Sequence, residues 1–199
     1  MSFRKNITHS VILDYDKCQG CTACMRICPM EAIRVHNGKA KITEERCIDC
    51  GECIKACPHK AKRAVYDSFK GKLEDYRWTI ALPAPALYGQ FSKLDDVDFV
   101  LTGLINMGFN QVFEVAQAAE IISFYTSEVL KKEDSIKPVI SCACPTIIRF
   151  ISTKFPELLD NLLPLVPPVN LAARMARKEA VIKTGYRPVF FLYLHVPLR

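Results

Sequence analysis

The chain has 199 residues, 50% of them hydrophobic and 24% charged, a balance that excludes general disorder and leaves room for one medium domain or for a small and a larger one. Its opening, Met-Ser-Phe-Arg-Lys-Asn, lacks the apolar run of a signal peptide, and no stretch reaches the roughly 20 apolar residues of a membrane span, so a cytosolic setting is expected. The formal charge of +6 is carried by scattered residues, with only Lys55, Lys60, Lys62 and Arg63 close together, which argues against a specific nucleic-acid interface.

In chain order, the first feature is Cys18-Gln-Gly-Cys21-Thr-Ala-Cys24-Met-Arg-Ile-Cys28-Pro29. It recurs as Cys47-Ile-Asp-Cys50-Gly-Glu-Cys53-Ile-Lys-Ala-Cys57-Pro58. The flanks repeat as well: Asp16-Lys17 and Glu45-Arg46 before the sets, Met30-Glu31-Ala32 and His59-Lys60-Ala61 after them. Duplication of a short unit is the economical explanation. Between the sets, Ile33 to Val35 and Ala40 to Ile42 flank His36-Asn37-Gly38-Lys39, the pattern of a turn between short strands.

Cysteine clustering stops at Cys57, and a basic, polar connector runs from Lys60 to Arg77. Trp78 to Leu82 reads as a buried strand stopped by Pro83 and Pro85. Asp95 to Met107 places Val97, Val100, Leu101, Leu104 and Ile105 on one helical face, with Gly108 as the stop. Gln111 to Val115 reads as a second strand. Ala118 to Lys132 reads as a helix with Ile121, Ile122, Tyr125 and Val129 inward and Lys131 and Lys132 in its last turn. A third strand is expected over Val139 to Ser141, then a helix opening near Pro145. Pro167 and Pro168 precede a last helix, Asn170 to Lys183, ended by Thr184-Gly185-Tyr186-Arg187-Pro188. Strands alternating with helices imply a parallel α/β sheet.

Ten cysteines without a secretory signal point to metal or cluster binding, because the cytosol disfavours stable disulfides. Each set has the spacing C-x2-C-x2-C-x3-C-P. Three closely spaced thiolates in a tight loop reach three corners of one iron–sulfur cube, and the fourth lies too far along to close the same site. In two-cluster ferredoxins it serves the other cluster. Cluster one is therefore assigned to Cys18, Cys21, Cys24 and Cys57, and cluster two to Cys47, Cys50, Cys53 and Cys28, each a [4Fe–4S] centre. Four thiolates on an oxidised core leave about −2 per site, which lowers the loaded protein to about +2. Gly20 and Gly51 suit loops that turn backbone N–H groups toward sulfur. Pro29 and Pro58 end the local helices. Zinc sites use two C-x2-C pairs, and four cysteines in each half overshoot that need. Lys55, Lys60 and Lys62 are expected to face solvent, with tuning of cluster potential through charge as the alternative.

Val139-Ile-Ser-Cys142-Ala143-Cys144-Pro145-Thr-Ile-Ile-Arg-Phe150, followed by Phe155-Pro-Glu-Leu158 and Asn161-Leu162, resembles the first active-site motif of [FeFe]-hydrogenases. There a Thr-Ser-Cys-Cys-Pro stretch ends a strand and opens a helix. Leu82-Pro-Ala-Pro-Ala86 and Gly108-Phe-Asn-Gln-Val-Phe113 resemble earlier parts of the same domain, in the same order. The resemblance implies an α+β ferredoxin-like 2[4Fe–4S] domain over residues 8–70. After it comes the N-terminal part of an α/β hydrogenase-type domain with a parallel sheet, residues 78–199, expected to be truncated.

Carried over by position, Cys144 matches the first thiolate ligand of the hydrogenase active-site cluster, at a helix N-terminus that favours a thiolate. Cys142 is expected to be a buried structural thiol. Where active members place a proton-relaying cysteine, this chain has Ala143, a departure that resembles the sensory branch of the family, whose members report to PAS, kinase or phosphatase modules. The further ligands, from a Pro-Cys-x-x-Lys motif and a Cys-x3-Cys motif, are absent, and no cysteine follows Cys144. The active-site cofactor is therefore not expected on this chain alone. The tail Tyr193-Leu-His-Val-Pro-Leu-Arg199 has a codon choice whose neighbouring frame spells Leu-Ser-Pro-Cys-Pro-Ala-Lys, similar to the second motif, so a frameshifted or truncated form is expected. The function expected is electron transfer or redox sensing with a partner such as ferredoxin or a sensory kinase module. The alternative is a hydrogenase whose missing ligands come from elsewhere. Phe190, Phe191 and Leu192 are expected on an uncovered face that promotes oligomers.

Overall fold

The structure is a computed structural model describing residues 10–65, 73–91, 96–132 and 136–193, the side chains of 191–193 excepted. The expected domain ends at residues 8 and 70, residues 66–72 of the connector, Asp95, and the tail residues 194–199 lie outside the described residues. In chain order the elements are β1 (Val11–Leu13), α1 (Ala23–Ile27), β2 (Ile33–His36), β3 (Lys39–Ile42), α2 (Glu52–Lys55) and β4 (Lys62–Ala64). There follow β5 (Thr79–Pro83), α3 (Pro85–Tyr88), α4 (Asp98–Asn106), β6 (Gln111–Val112), α5 (Val115–Leu130), α6 (Pro145–Lys154), α7 (Pro168–Thr184) and β7 (Val189–Tyr193). They form two compact units, Met1–Asp67 with Cys144–Asp160, and Ser68–Ala143 with Asn161–Arg199.

In the first unit, β1 pairs antiparallel with β4, Leu13 opposite Lys62, and β2 pairs antiparallel with β3, Ile33 opposite Ile42. Asn37 and Gly38 join β2 to β3 with φ of 48° and 71°, the positive pair that lets a two-residue hairpin follow the strand twist. Superposing Cys18 on Cys47 maps β1 onto β3 and β2 onto β4, so the two strand pairs are copies of one arrangement. Helices α1 and α2, of five and four residues, are too short to persist alone and are held by what they carry inward, Cys24 and Cys53. One buried cluster joins Val11, Ile33, Ala40 and Ala61 to those two cysteines. A second joins Met30, Ala32 and Ile48, with Cys28, Cys47, Cys50 and Phe150 of α6 packed against it. An Arg149–Asp49 ion pair ties α6 to the second cysteine loop.

In the second unit, β5 is buried along all five residues, the signature of a central parallel strand covered on both faces. Ile80 and Leu82 pack with Phe113, Val115, Ala118 and the α7 residues Ala172, Ala176 and Ala180. Ala81, alternating to the other face, packs with Leu104 and Phe109. The α7 alanines recur every fourth residue and are fully buried, so a smooth stripe lets the helix approach closely. Its end is set by Gly185, left-handed at φ 72°.

Three expectations change here. Val139–Ser141 is not a strand of the sheet: both edges of β5 are taken, in the order β6-β5-β7 and all parallel. Ile140 instead donates to the Asn161 carbonyl and accepts from Leu163 N–H, each at 2.8 Å, in an isolated parallel bridge. Helix α5 begins at Val115, so the second strand is cut to two residues, and it buries Val115 and Ala118 while Ile121 and Tyr125 are exposed. Among the described residues of α5, none beyond Ala118 joins this buried cluster, although Ile122 and Val129 farther along are half-buried. Phe190, expected on an uncovered face, packs against the core on β7, with the Arg177 guanidinium 5.4 Å above its ring.

Candidate functional site

The two cysteine loops share a backbone that their residues do not share. Gly20 and Asp49 are equivalent and left-handed, at φ 65° and 55°; so are Thr22 and Gly51, at 66° and 77°, and Glu31 and Lys60, both at 49°. Each loop thus turns through the same sparsely populated conformations, with glycine at one such site in each copy. Three cysteines of each loop line one cavity. The fourth arrives from the other repeat: Cys18, Cys21, Cys24 and Cys57 line one cavity, and Cys47, Cys50, Cys53 and Cys28 line the other. The cavities hold about 320 and 360 Å³ of space free of protein atoms, part of it open to solvent.

Among the described residues, no three His, Cys, Asp or Glu side chains converge on a point where a single metal ion would sit. Four sulfurs surrounding a space suit a polynuclear core such as an iron–sulfur cube better than one tetrahedral zinc. Backbone donors support the same fit. Ala32 N–H points to Cys28 Sγ at 3.3 Å and its equivalent Ala61 N–H to Cys57 Sγ at 3.2 Å, while Ala40 N–H lies 3.5 Å from Cys18 Sγ. Hydrogen bonds of this kind favour charge on sulfur. Burial pushes the Cys53 thiol up to about 11 and raises those of Cys24 and Cys47. Cys18 is also raised by burial, but bonds from the Ala40 and Gly20 N–H groups, then the charges of Lys39 and Lys62, bring it below its usual value. Loading iron must therefore displace protons from thiols that hold them in the empty chain.

The lysines divide. Lys55 is exposed and paired with Glu52, and Lys60 is exposed, both as expected. Lys62 is only 3% exposed, lines the first cavity, and its ammonium has no hydrogen-bond partner. Repeat alignment carried the signal: Lys62 is equivalent to Ile33, a buried strand position.

Gly20 offers a sharp test of loop geometry. A Cβ there would lie 2.5 Å from the Gly38 carbonyl oxygen, at a φ that L-residues disfavour. Gly51 has the same handedness but nothing within 4 Å. Gly51→Ala is expected to cost only the backbone strain, about 1–2 kcal/mol. Gly20→Ala adds a backbone clash, and its unfolding midpoint is expected to fall well below that of Gly51→Ala in parallel thermal scans.

Cys142 is buried and its thiol donates to the Leu165 carbonyl. Cys144 is exposed at the N-cap of α6, with Pro145 as the first helical residue. One side chain of this pair is enclosed and the other presented at a helix N-terminus.

Residues 77–189 match the family model described as iron only hydrogenase large subunit, C-terminal domain, and residues 10–58 match that of a 4Fe-4S dicluster domain. The chain is 30% identical over 199 residues to the periplasmic [Fe] hydrogenase large subunit of Nitratidesulfovibrio vulgaris, covering 90% of this chain and 47% of that one. It is also 53% identical over 32 residues to Ferredoxin-2 of Desulfomicrobium norvegicum, covering 16% of this chain and 54% of that one. These alignments span about half the length of each curated relative. No described helix is long and apolar enough to cross a membrane.

Proposed function

Because the chain belongs to the iron-only hydrogenase large-subunit family and carries a 4Fe-4S dicluster domain, we infer that it is a two-cluster electron carrier that serves redox sensing. The observation that carries this reading is the grouping of eight cysteines into two cavities of four, each drawing on both repeats. When bound, a [4Fe–4S] cluster takes up and returns one electron without making or breaking a bond. The chain's part is to hold the sulfurs. Cys18, Cys21 and Cys24 with Cys57 would grip one cube, and Cys47, Cys50 and Cys53 with Cys28 the other. Main-chain N–H groups of Ala32, Ala61 and Ala40 stabilise the charged sulfurs, and apolar walls such as Ile33 and Ile48 keep water away.

The segment that matches the hydrogenase family supplies the sensory half of the proposal. Cys144, exposed at the start of α6, would offer a thiolate to a further cluster, and Phe150 of α6 packs against the Met30, Ala32 and Ile48 cluster on which Cys47 and Cys50 also rest. Ala143, between Cys142 and Cys144, has no proton to relay, which supports slow or absent hydrogen turnover. Partners would be a small redox protein of the ferredoxin type or a sensory kinase module, in the cytosol. The second reading, a hydrogen-activating enzyme completed by ligands from elsewhere, draws on the exposure of Cys144.

Anaerobic reconstitution followed by iron counting and EPR separates these readings. The carrier predicts about eight irons per chain and two interacting reduced signals. Six or so further irons with hydrogen uptake would favour the enzyme. Colourless protein that binds zinc instead would overturn both.

A further inference from the structure

The internal repeat makes each cavity the other's control. Aligned by their cysteines, the walls agree at Ala61 and Ala32 and at Leu13 and Ile42. They differ at several positions, among them Lys62, His59 and Gln19 in the first cavity against Ile33, Met30 and Ile48 in the second. Lys62 is the sharpest difference. It sits at the start of β4 opposite Leu13, it is 3% exposed, and no described carboxylate or carbonyl accepts from its ammonium. Ile33, its counterpart, is 2% exposed on β2. Enclosing an ammonium without a partner is costly unless negative charge stands nearby. The sulfurs of Cys18, Cys21, Cys24 and Cys57 line the same space, so that charge is the thiolate-bound cube the first cavity would hold.

We propose that Lys62 is the built-in countercharge of the first cavity and sets the two clusters at different reduction potentials, the one held by Cys18, Cys21, Cys24 and Cys57 being reduced first. This rests on the two-cluster reading. Reduction adds one electron to a centre already near −2, and no proton or bond changes with it. A fixed positive charge against that centre favours the more negative state, whereas Ile33 against the other centre offers none. An electron delivered by a low-potential one-electron donor therefore rests at the first cluster, and Lys62 acts as a positioning residue for charge without touching the donor.

The test is an EPR-monitored redox titration of the reconstituted full chain with dithionite as reductant, beside Lys62→Met, Lys62→Gln and Lys62→Arg. The parent is expected to titrate in two steps. In the neutral variants the equilibrium constant of the first step should fall at least tenfold, a shift of 59 mV for a one-electron couple, and the two steps should draw together. Lys62→Arg should stay within threefold of the parent. Titrations indifferent to residue 62 in fully loaded variants would overturn the proposal. Should the neutral variants fail to load, loading by Lys62→Arg alone supports the countercharge, and loading by none of the three overturns it in favour of a packing role. A parent holding no iron would sink the two-cluster reading itself, an outcome distinct from eight irons with an unmoved titration.

Discussion

Replacing Cys57 with alanine is expected to remove the irons of the cluster held by Cys18, Cys21 and Cys24, leaving about four of about eight irons per chain. Cys57 belongs by sequence to the second set but lines the first cavity. Iron counting on the single variant alone does not say which site was emptied. Pairs of substitutions do, because residues serving one site act as a unit and fail to add. Cys57→Ala combined with Cys21→Ala should lose no more iron than either alone. Cys57→Ala combined with Cys50→Ala should lose nearly all of it. The reverse pattern would show that each set closes its own cluster, and would refute the crossed arrangement. The effect is large because ligand sulfur is not replaceable here: no other cysteine among the described residues lines either cavity.

Ending the chain after Pro188 is expected to abolish the cooperative unfolding transition of the second unit. Strand β7 pairs with every residue of β5, from Thr79 with Val189 to Pro83 with Tyr193, whereas β6 pairs with only two. Removing it bares one whole edge of the central strand and takes Phe190 out of the core. Loss of a fully buried phenylalanine costs about 3–5 kcal/mol, an upper bound for the half-buried Phe190, set against a total stability of about 5–15 kcal/mol for a typical domain. The ladder is lost as well. Phe190→Ala, which keeps the strand, should lower the midpoint but leave the transition sigmoidal. Circular dichroism on heating checks both, with iron content in parallel. The cysteine cavities are built entirely from residues 11–62, so iron is expected to stay near the parent's value. Loss of iron on truncation would show that the units do not fold separately.

Much of the site was legible in the chain because its chemistry is local. Three cysteines within seven residues, a glycine in each loop and a proline after each set act through the covalent connections of one turn, and they repeat. The turn at Asn37-Gly38 and the central strand from Thr79 were legible for the same reason, since each is specified by its own few residues. The face of α5 was not. Its apolar residues continue at helical spacing past Ala118, but which of them is buried depends on how far α7 and the sheet extend alongside.

By itself, then, the sequence determined the thiol-rich loops, their duplication, the buried central strand and the helix that opens at Pro145, all features decided within a few bonds of the residues concerned. The crossed roles of Cys57 and Cys28 were legible too, through the motif. Only the tertiary structure decided that β7 rather than Val139–Ser141 pairs with β5, and that Lys62 lies buried on the wall of the first cavity. Each of those depends on which distant segment arrives at a given edge or wall. Such a choice is made by competition for buried surface and backbone partners across the whole fold.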